Sequence, residues 1–364
     1  MDEAQILVLD TLRRLLSDWQ ADRGHAPHPD ETAQFWPMIG ETGLLGALAP
    51  ESAGGLGADP ALAFEVLHTW GIFAAPGPAL ASLIGAATIL PGSPREDLLD
   101  GVADGSVRIA MPSFIETAGE FPQTAGDVPP GAAALPLLPF LRDAGAATHA
   151  LLPARMHDEP AVLCVDIARL PLSAPFRLVD GATAAEFSAQ HIAVEDGDVL
   201  MQGSEARTAW LDLMERMTAG AASEAAGLLQ AMLDQTVAYV RQRSQFGRAI
   251  GSFQAIQHRL AEMLVDVEQS RSLAHGALSA ALEGRPDAAM LVSAAKARIN
   301  RSLQHLSDQA VQLHGGIGTT QELALNRYFR RAMALGREFG TSLPHLGRVK
   351  AGIADRIRTL GAVA

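Results

Sequence analysis

Arg241, Arg243 and Arg248 crowd around Phe246 and Gly247 in the stretch YVRQRSQFGRAIGSFQAIQHRLAEML, residues 239–264. The crowding falls at a break between two helical patterns. Leu229, Leu233, Val237 and Val240 recur at helical spacing before it, and Phe253, Ile256, Leu260, Met263 and Val267 recur after it. So much positive charge at one break suits an anion held where two helices meet, with a helix N-terminus and guanidinium forks directed at it. A solvated basic turn between core helices would read the same way, and these residues alone leave both open. Glu224 lies among Ala221, Ala222, Ala225 and Ala226, so it is either paired or functional, with Arg216 as an available partner. Cys164, between Val162, Leu163 and Val165, reads as a buried strand residue and not as a nucleophile. Gly54-Gly55-Leu56-Gly57 follows a helix and not a strand, which argues against a dinucleotide fingerprint.

The elements that must position these residues change character twice along the chain. Up to about residue 105 the pattern is helical. Ile6, Leu9, Leu12, Leu16 and Trp19 form one apolar face, Phe35, Trp36, Ile39, Leu44 and Leu45 another. A Gly-rich loop between Pro50 and Pro60 precedes a helix through Phe64, Leu67 and Trp70, and Pro76 and Pro78 precede another across Leu80 to Leu90. From Val107 to Val194 short apolar runs (RIAMP, HALLP, AVLCVDI) alternate with Pro, Gly and Asp clusters, as in a β module. Helical period then returns. Ala288, Leu291, Ala295, Ile299, Leu303, Leu306, Ala310 and Leu313 share one face, and a last helix runs through Leu346, Val349, Ile353, Ile357 and Leu360. The expected fold is mainly α with an inserted β domain, divided as 1–105, 106–197 and 198–364, the last a helical bundle.

Composition narrows the function. The chain has 364 residues, 48% hydrophobic and 19% charged, as in a globular protein of two or three modules. Aromatics at 5% and abundant Ala and Leu favour helix over sheet. A formal net charge of −13 argues against nucleic acid or an anionic membrane as partner. A single cysteine excludes an intrachain disulfide and fits a reducing cytoplasm. No apolar run reaches the length of a membrane span, and Asp2 and Glu3 do not suit a secretion signal, so a cytoplasmic location is expected. Metal ligands are not expected.

Three segments carry a family resemblance. RQRSQFGRAIGSFQAIQHRLAEM, VQLHGGIGTTQELALNRYFRR (residues 311–331) and GLLGALAPESAGGLG near the N-terminus resemble, in order, motifs of the acyl-CoA dehydrogenases. These flavoenzymes desaturate acyl-CoA thioesters between Cα and Cβ. The resemblance implies a helical N-terminal domain, a β-barrel-like middle domain and a C-terminal four-helix bundle. It also implies FAD as cofactor, contacted across a subunit boundary by Arg243, Gln245 and Phe246 of an RxxFG motif and by Gln312, Gly315 and Gly316 of a QxxGGxG motif. A guanidinium fork suits a pyrophosphate, and glycines let backbone approach a ligand closely. Gly315 and Gly316 would equally serve as a helix C-cap, and His314 is expected to be structural.

Elsewhere the family pattern is eroded. The family's TEP.AGSD stretch is represented at best by Ile115-Glu116-Thr117-Ala118-Gly119, and Phe140 and Arg142 stand where an aromatic-Thr pair would cradle the isoalloxazine. The glutamate that removes the α proton should fall, by counting, on Phe339 or on Met217, and neither can take a proton. Glu215, Glu224 and Glu338 are the nearby carboxylates. The resemblance therefore implies the shorter, degenerate subunit of a heteromeric, steroid- or pimeloyl-type dehydrogenase, completing the FAD site of a larger acyl-CoA dehydrogenase subunit in a heterotetramer. Alternatives are a self-sufficient homo-oligomeric dehydrogenase with a displaced glutamate, a flavin monooxygenase on the same fold, and a helical scaffold without catalysis.

Overall fold

The computed structural model describes residues 2–23, 31–57, 59–113, 120–123, 131–136, 138, 140–320 and 322–361. The 115–119 stretch lies outside the described residues. Helix α1 (Glu3–Asp22) opens with a capping box in which Asp2 accepts from Gln5 N and Gln5 returns the bond. Leu9, Leu12 and Leu16 are buried as the periodicity requires, but Ile6, placed on the same face by its spacing, is half exposed. Helix α2 (Glu31–Gly40) and α3 (Pro60–Ile72) follow, α3 with Asp59 as its N-cap and Pro60 in its first turn. Where one helix was expected from Leu80 to Leu90, a π-wound segment Ala81–Ala86 runs into α4 (Ala87–Ile89), and α5 (Leu98–Ala103) ends the helical region.

Among the described residues nine strands come next: β1 (Ile109–Ala110), β2 (Ala132–Ala134), β3 (Leu141–Arg142), β4 (His149–Met156), β5 (Glu159–Asp166), β6 (Phe176–Arg177), β7 (Thr183–Ala185), β8 (His191–Ala193) and β9 (Val199–Gln202). One sheet has the order β8-β2-β4-β5-β9, with β1 parallel to the start of β4; the other is β3-β7-β6. β9 lies past residue 197, so the larger sheet reaches to the very start of the bundle. Period-two alternation divides the central pair β4 and β5 between two cores. Leu151, Val162 and Cys164 pack into the helical core, while Leu152, Ala154, Leu163 and Val165 fill the core shared by the two sheets. Cys164 is buried there, and burial pushes its thiol up to about 12, in keeping with an inert strand residue.

The bundle consists of α6 (Gly203–Gln242), α7 (Gln254–Leu282), α8 (Ala288–His314) and α10 (Ser342–Gly361), with the shorter α9 (Leu325–Leu335) laid between α8 and α10 in sequence. The break between α6 and α7 contains strand structure that helical periodicity does not announce. β10 (Ser244–Gln245) and β11 (Arg248–Ala249) pair antiparallel across a two-residue loop of Phe246 and Gly247, both at positive φ, 51° and 80°. That is the turn whose twist matches a hairpin. On α3 and α6 the backbones touch. A Cβ on Gly71 would sit 1.9 Å from Glu224 O, and one on Gly227 would sit 1.9 Å from His68 O. The alanines around Glu224 therefore serve close helix packing, and this contact fixes where the Glu224 side chain emerges.

Candidate functional site

A cavity of about 390 Å³ lies where the helical region, the sheets and the bundle meet. Trp36, Trp70, Leu80 and Met111 supply apolar wall; Met217 and Phe339 line it as well. The two positions that should hold a base by counting thus converge on one cavity, from α6 and from the turn after α9. Phe339 takes φ 56°, its N donates to Ser113 O at 2.6 Å and its O meets His345 Nε2 at 2.8 Å. These bonds hold the turn against the cavity.

The polar wall is an ionic network. β3 brings Arg142, and Asp143 follows at φ 61°. The turn between β6 and β7 brings Asp180, and α9 brings Arg331. Arg142 bonds Asp180 at 2.6 Å and lies 3.1 Å from Glu338, a contact poorly aligned for a hydrogen bond. Arg331 donates to Glu224 at 2.7 and 2.9 Å, to Glu338 at 2.7 Å and to Asp180 at 3.1 Å. Burial alone would raise the Asp180 carboxyl, but Arg142 and Arg331 outweigh it and hold Asp180 well below the usual carboxylate range. Asp143, with weaker compensation from Arg142, is pushed up by burial to about 6. Behind the network Lys296 is 2% exposed, donating to Leu335 O at 2.6 Å and Asn300 Oδ1 at 2.9 Å. Burial lowers its ammonium to about 7. One turn before Arg331 on α9, Arg327 forks Glu31 of α2 at 2.5 and 2.6 Å.

The three carboxylate candidates separate. Glu224 and Glu338 reach the cavity and share Arg331. Glu215 does not line it; it pairs with Arg348 of α10. Arg216, expected as a possible partner of Glu224, instead pairs with Asp212 one turn earlier, and Arg331 holds Glu224. Of the pair read in place of the flavin cradle, Arg142 enters the cavity, whereas Phe140 meets Phe176 edge-on at 5.9 Å. Arg331, Asp180, Asp143 and Lys296 escape sequence reasoning. An Asp-Gly step between two short strands and an arginine pair within an amphipathic helix were the available signals.

The other motif residues gather at one end of the bundle. Arg243 caps α6, its N bonded to Tyr239 O, and Tyr239 stacks on His314 at 4.3 Å between ring centroids. His314 is thereby structural, with Nδ1 on Ala310 O. Gly315, at φ 66°, caps α8, and a Cβ on Gly315 or Gly316 would meet nothing within 4 Å. Arg243, Gln245, Gln312, Gly315 and Gly316 are exposed, Phe246 is 92% exposed, and the Arg248 guanidinium lies 4.0 Å over the Phe253 ring. An open glycine backbone beside an exposed guanidinium, aromatic ring and amide fits a flat, phosphate-bearing ligand. No helix among the described residues is long and apolar enough to cross a membrane.

Residues 209–353 match the family model described as acyl-CoA dehydrogenase, C-terminal domain. The chain is 39% identical over 132 residues to acyl-CoA dehydrogenase IpdE2 of Mycolicibacterium smegmatis, which is 36% of this chain and 40% of that protein. That match therefore covers less than half of the relative's length. Probable acyl-CoA dehydrogenase YngJ of Bacillus subtilis is 29% identical over 350 residues, covering 87% of this chain and 90% of the relative. Among solved structures, a variant of the Tcur3481-Tcur3483 steroid ACAD aligns over 100% of this chain and 99% of its own, at 26% identity and TM-score 0.78. The ChsE4-ChsE5 complex from Mycobacterium tuberculosis aligns over 97% and 98%, at 22% identity and TM-score 0.81.

Proposed function

From a chain that carries an acyl-CoA dehydrogenase C-terminal domain within an acyl-CoA dehydrogenase fold, we propose a partner subunit that completes the FAD site of a larger acyl-CoA dehydrogenase chain. The observation that carries this reading is the asymmetry between the two sites. At the cavity, Met217 and Phe339 occupy both positions expected to hold a base. At the bundle end, the residues suited to a cofactor are all present and face outward. The names of the steroid ACAD and of the ChsE4-ChsE5 complex, each a pairing of two chains, support the heteromeric reading.

In such an assembly Arg243 would hold a pyrophosphate oxygen and Phe246 would lie against an aromatic face. Gln312 would bond the adenosine end, and the Gly315-Gly316 backbone would let that end approach. Flavin, when bound, supplies the acceptor for the hydride that leaves the acyl Cβ. The α proton would go to a carboxylate of the larger chain, since Glu224 and Glu338 of this one are each held by Arg331.

A second reading is supported by one observation: Glu224 and Glu338 do line the cavity. Released from Arg331, either could act as a displaced base in a self-sufficient enzyme. Turnover by the assembled complex separates the two. Removing a general base costs on the order of 10²–10⁴ in rate. Assayed below the unfolding midpoint of each altered complex, Glu224→Gln and Glu338→Gln are expected to leave turnover within about threefold of the unaltered complex, well short of that loss. A hundredfold drop with flavin retained would identify the displaced base and overturn the partner reading.

A further inference from the structure

The ionic network has a property that pairing alone does not explain: it joins different parts of the molecule. Arg142, Asp143 and Asp180 belong to the smaller sheet and its turns, while Arg331, Glu224 and Glu338 belong to the bundle. Four carboxylates face two guanidiniums, and the six side chains keep between 1% and 14% of their exposure. Such groups are stable only while every partner is in place, because an ionised group left alone in a buried setting keeps its desolvation cost. The same groups line the cavity together with Trp36 and Trp70. Hydrocarbon entering there would lie against charges and remove the solvation they retain.

We infer that Arg142, Arg331 and the four carboxylates form an ionic clasp that fixes the smaller sheet on the bundle and bars an acyl tail from this chain's own cavity. The inference deepens the partner-subunit reading and rests on it for the choice of an acyl thioester as the excluded ligand. The cavity is then a structural junction, and the acyl group of the assembly is held by the larger chain.

A thermal double-mutant cycle on Arg142 and Asp180 tests the clasp in the full chain. Arg142→Met leaves Asp180 and Glu338 beside one remaining arginine, and Asp180→Leu removes the best-aligned partner of Arg142, leaving it Glu338 at 3.1 Å and Asp143 at 3.4 Å. Each is expected to lower the unfolding midpoint by at least about 5 °C or to prevent folding. The double variant exchanges a matched pair for apolar groups of similar size and is expected to regain most of that loss. A double variant no more stable than the worse single overturns the clasp. Titration of the unaltered chain with octanoyl-CoA, followed by calorimetry and by intrinsic Trp fluorescence, to which Trp36 and Trp70 of the cavity contribute with Trp19 and Trp210, tests the exclusion. No saturable binding is expected, and saturable binding with a change in Trp fluorescence overturns it. Neither readout involves flavin, so a flavin-loaded isolated chain, which would contradict the partner reading, remains a separate result.

Discussion

Arg331 shows how a single side chain can decide what a cavity does. It meets Glu224, Glu338 and Asp180 at once, from three different elements. Glu224 was legible in the sequence as a carboxylate in need of a partner, because a charge among alanines on a long helix has few ways to avoid isolation. The partner was not legible, since Arg331 is 107 residues away and only the fold brings it near. Lys296 was hidden for the same reason, its ammonium being stabilised by carbonyl and amide oxygens that no local pattern marks. It also gives the network a pH signature. Its folded pKa, about 7, lies below the value of 10.5 for an unburied lysine, so between these values the unfolded chain binds more protons. Stability contributed at this position therefore rises as pH increases through that window. Lys296→Met removes the proton, and the unfolding midpoint of the unaltered chain should gain on that of the variant from pH 7 to about pH 10. A gap that stays constant across the range would show that Lys296 is charged in the fold.

At the scale of elements, the long helices were readable because sustained 3.6-residue period over many turns has no competing interpretation. Ala288 to Leu313 is the clearest case, and the helix found spans Ala288–His314. Short elements were not readable. The hairpin β10–β11 rests on two residues at positive φ, one of them Phe246, and a phenylalanine gives no sequence hint of that conformation. The π-wound segment Ala81–Ala86 likewise keeps the apolar run of a helix while shifting its register. The hairpin's consequence is to push Phe246 and its flanking residues outward beside the α8 cap. Arg243→Ala and Gln312→Ala should each weaken flavin retention by the assembled complex. The arginine's bond to a charged group is worth roughly 1.5–3 kcal/mol, about ten- to a hundredfold in affinity, and the amide's about tenfold at most. Flavin titration of the apo-complex measures both, and unchanged affinity in the two variants would assign the motifs a structural role only.

For the whole molecule, the order of a helical region, two sheets and a bundle follows from a helical, a strand-like and a second helical stretch, and the bundle contributes residues to two sites of opposite character. One is buried, ionic and lacks a base at either expected position. The other is exposed, cationic and glycine-lined on a chain whose net charge is −13. Exposed apolar side chains on α10, with Leu343, Leu346, Ile353 and Ile357 all at least half exposed, add surface that burial in an assembly would cover. The sequence carried the motif residues found exposed at the bundle end and, by counting, two positions, Met217 and Phe339, that line one cavity. It did not carry the clasp, which exists only as a meeting of residues from the smaller sheet and the bundle. Visible flavin absorbance, recorded on the chain purified by itself and on the chain co-purified with a larger acyl-CoA dehydrogenase subunit, tests the central claim most directly. A colourless chain alone and a complex holding stoichiometric flavin are the predicted results; a stoichiometrically yellow chain in the absence of any partner would contradict them.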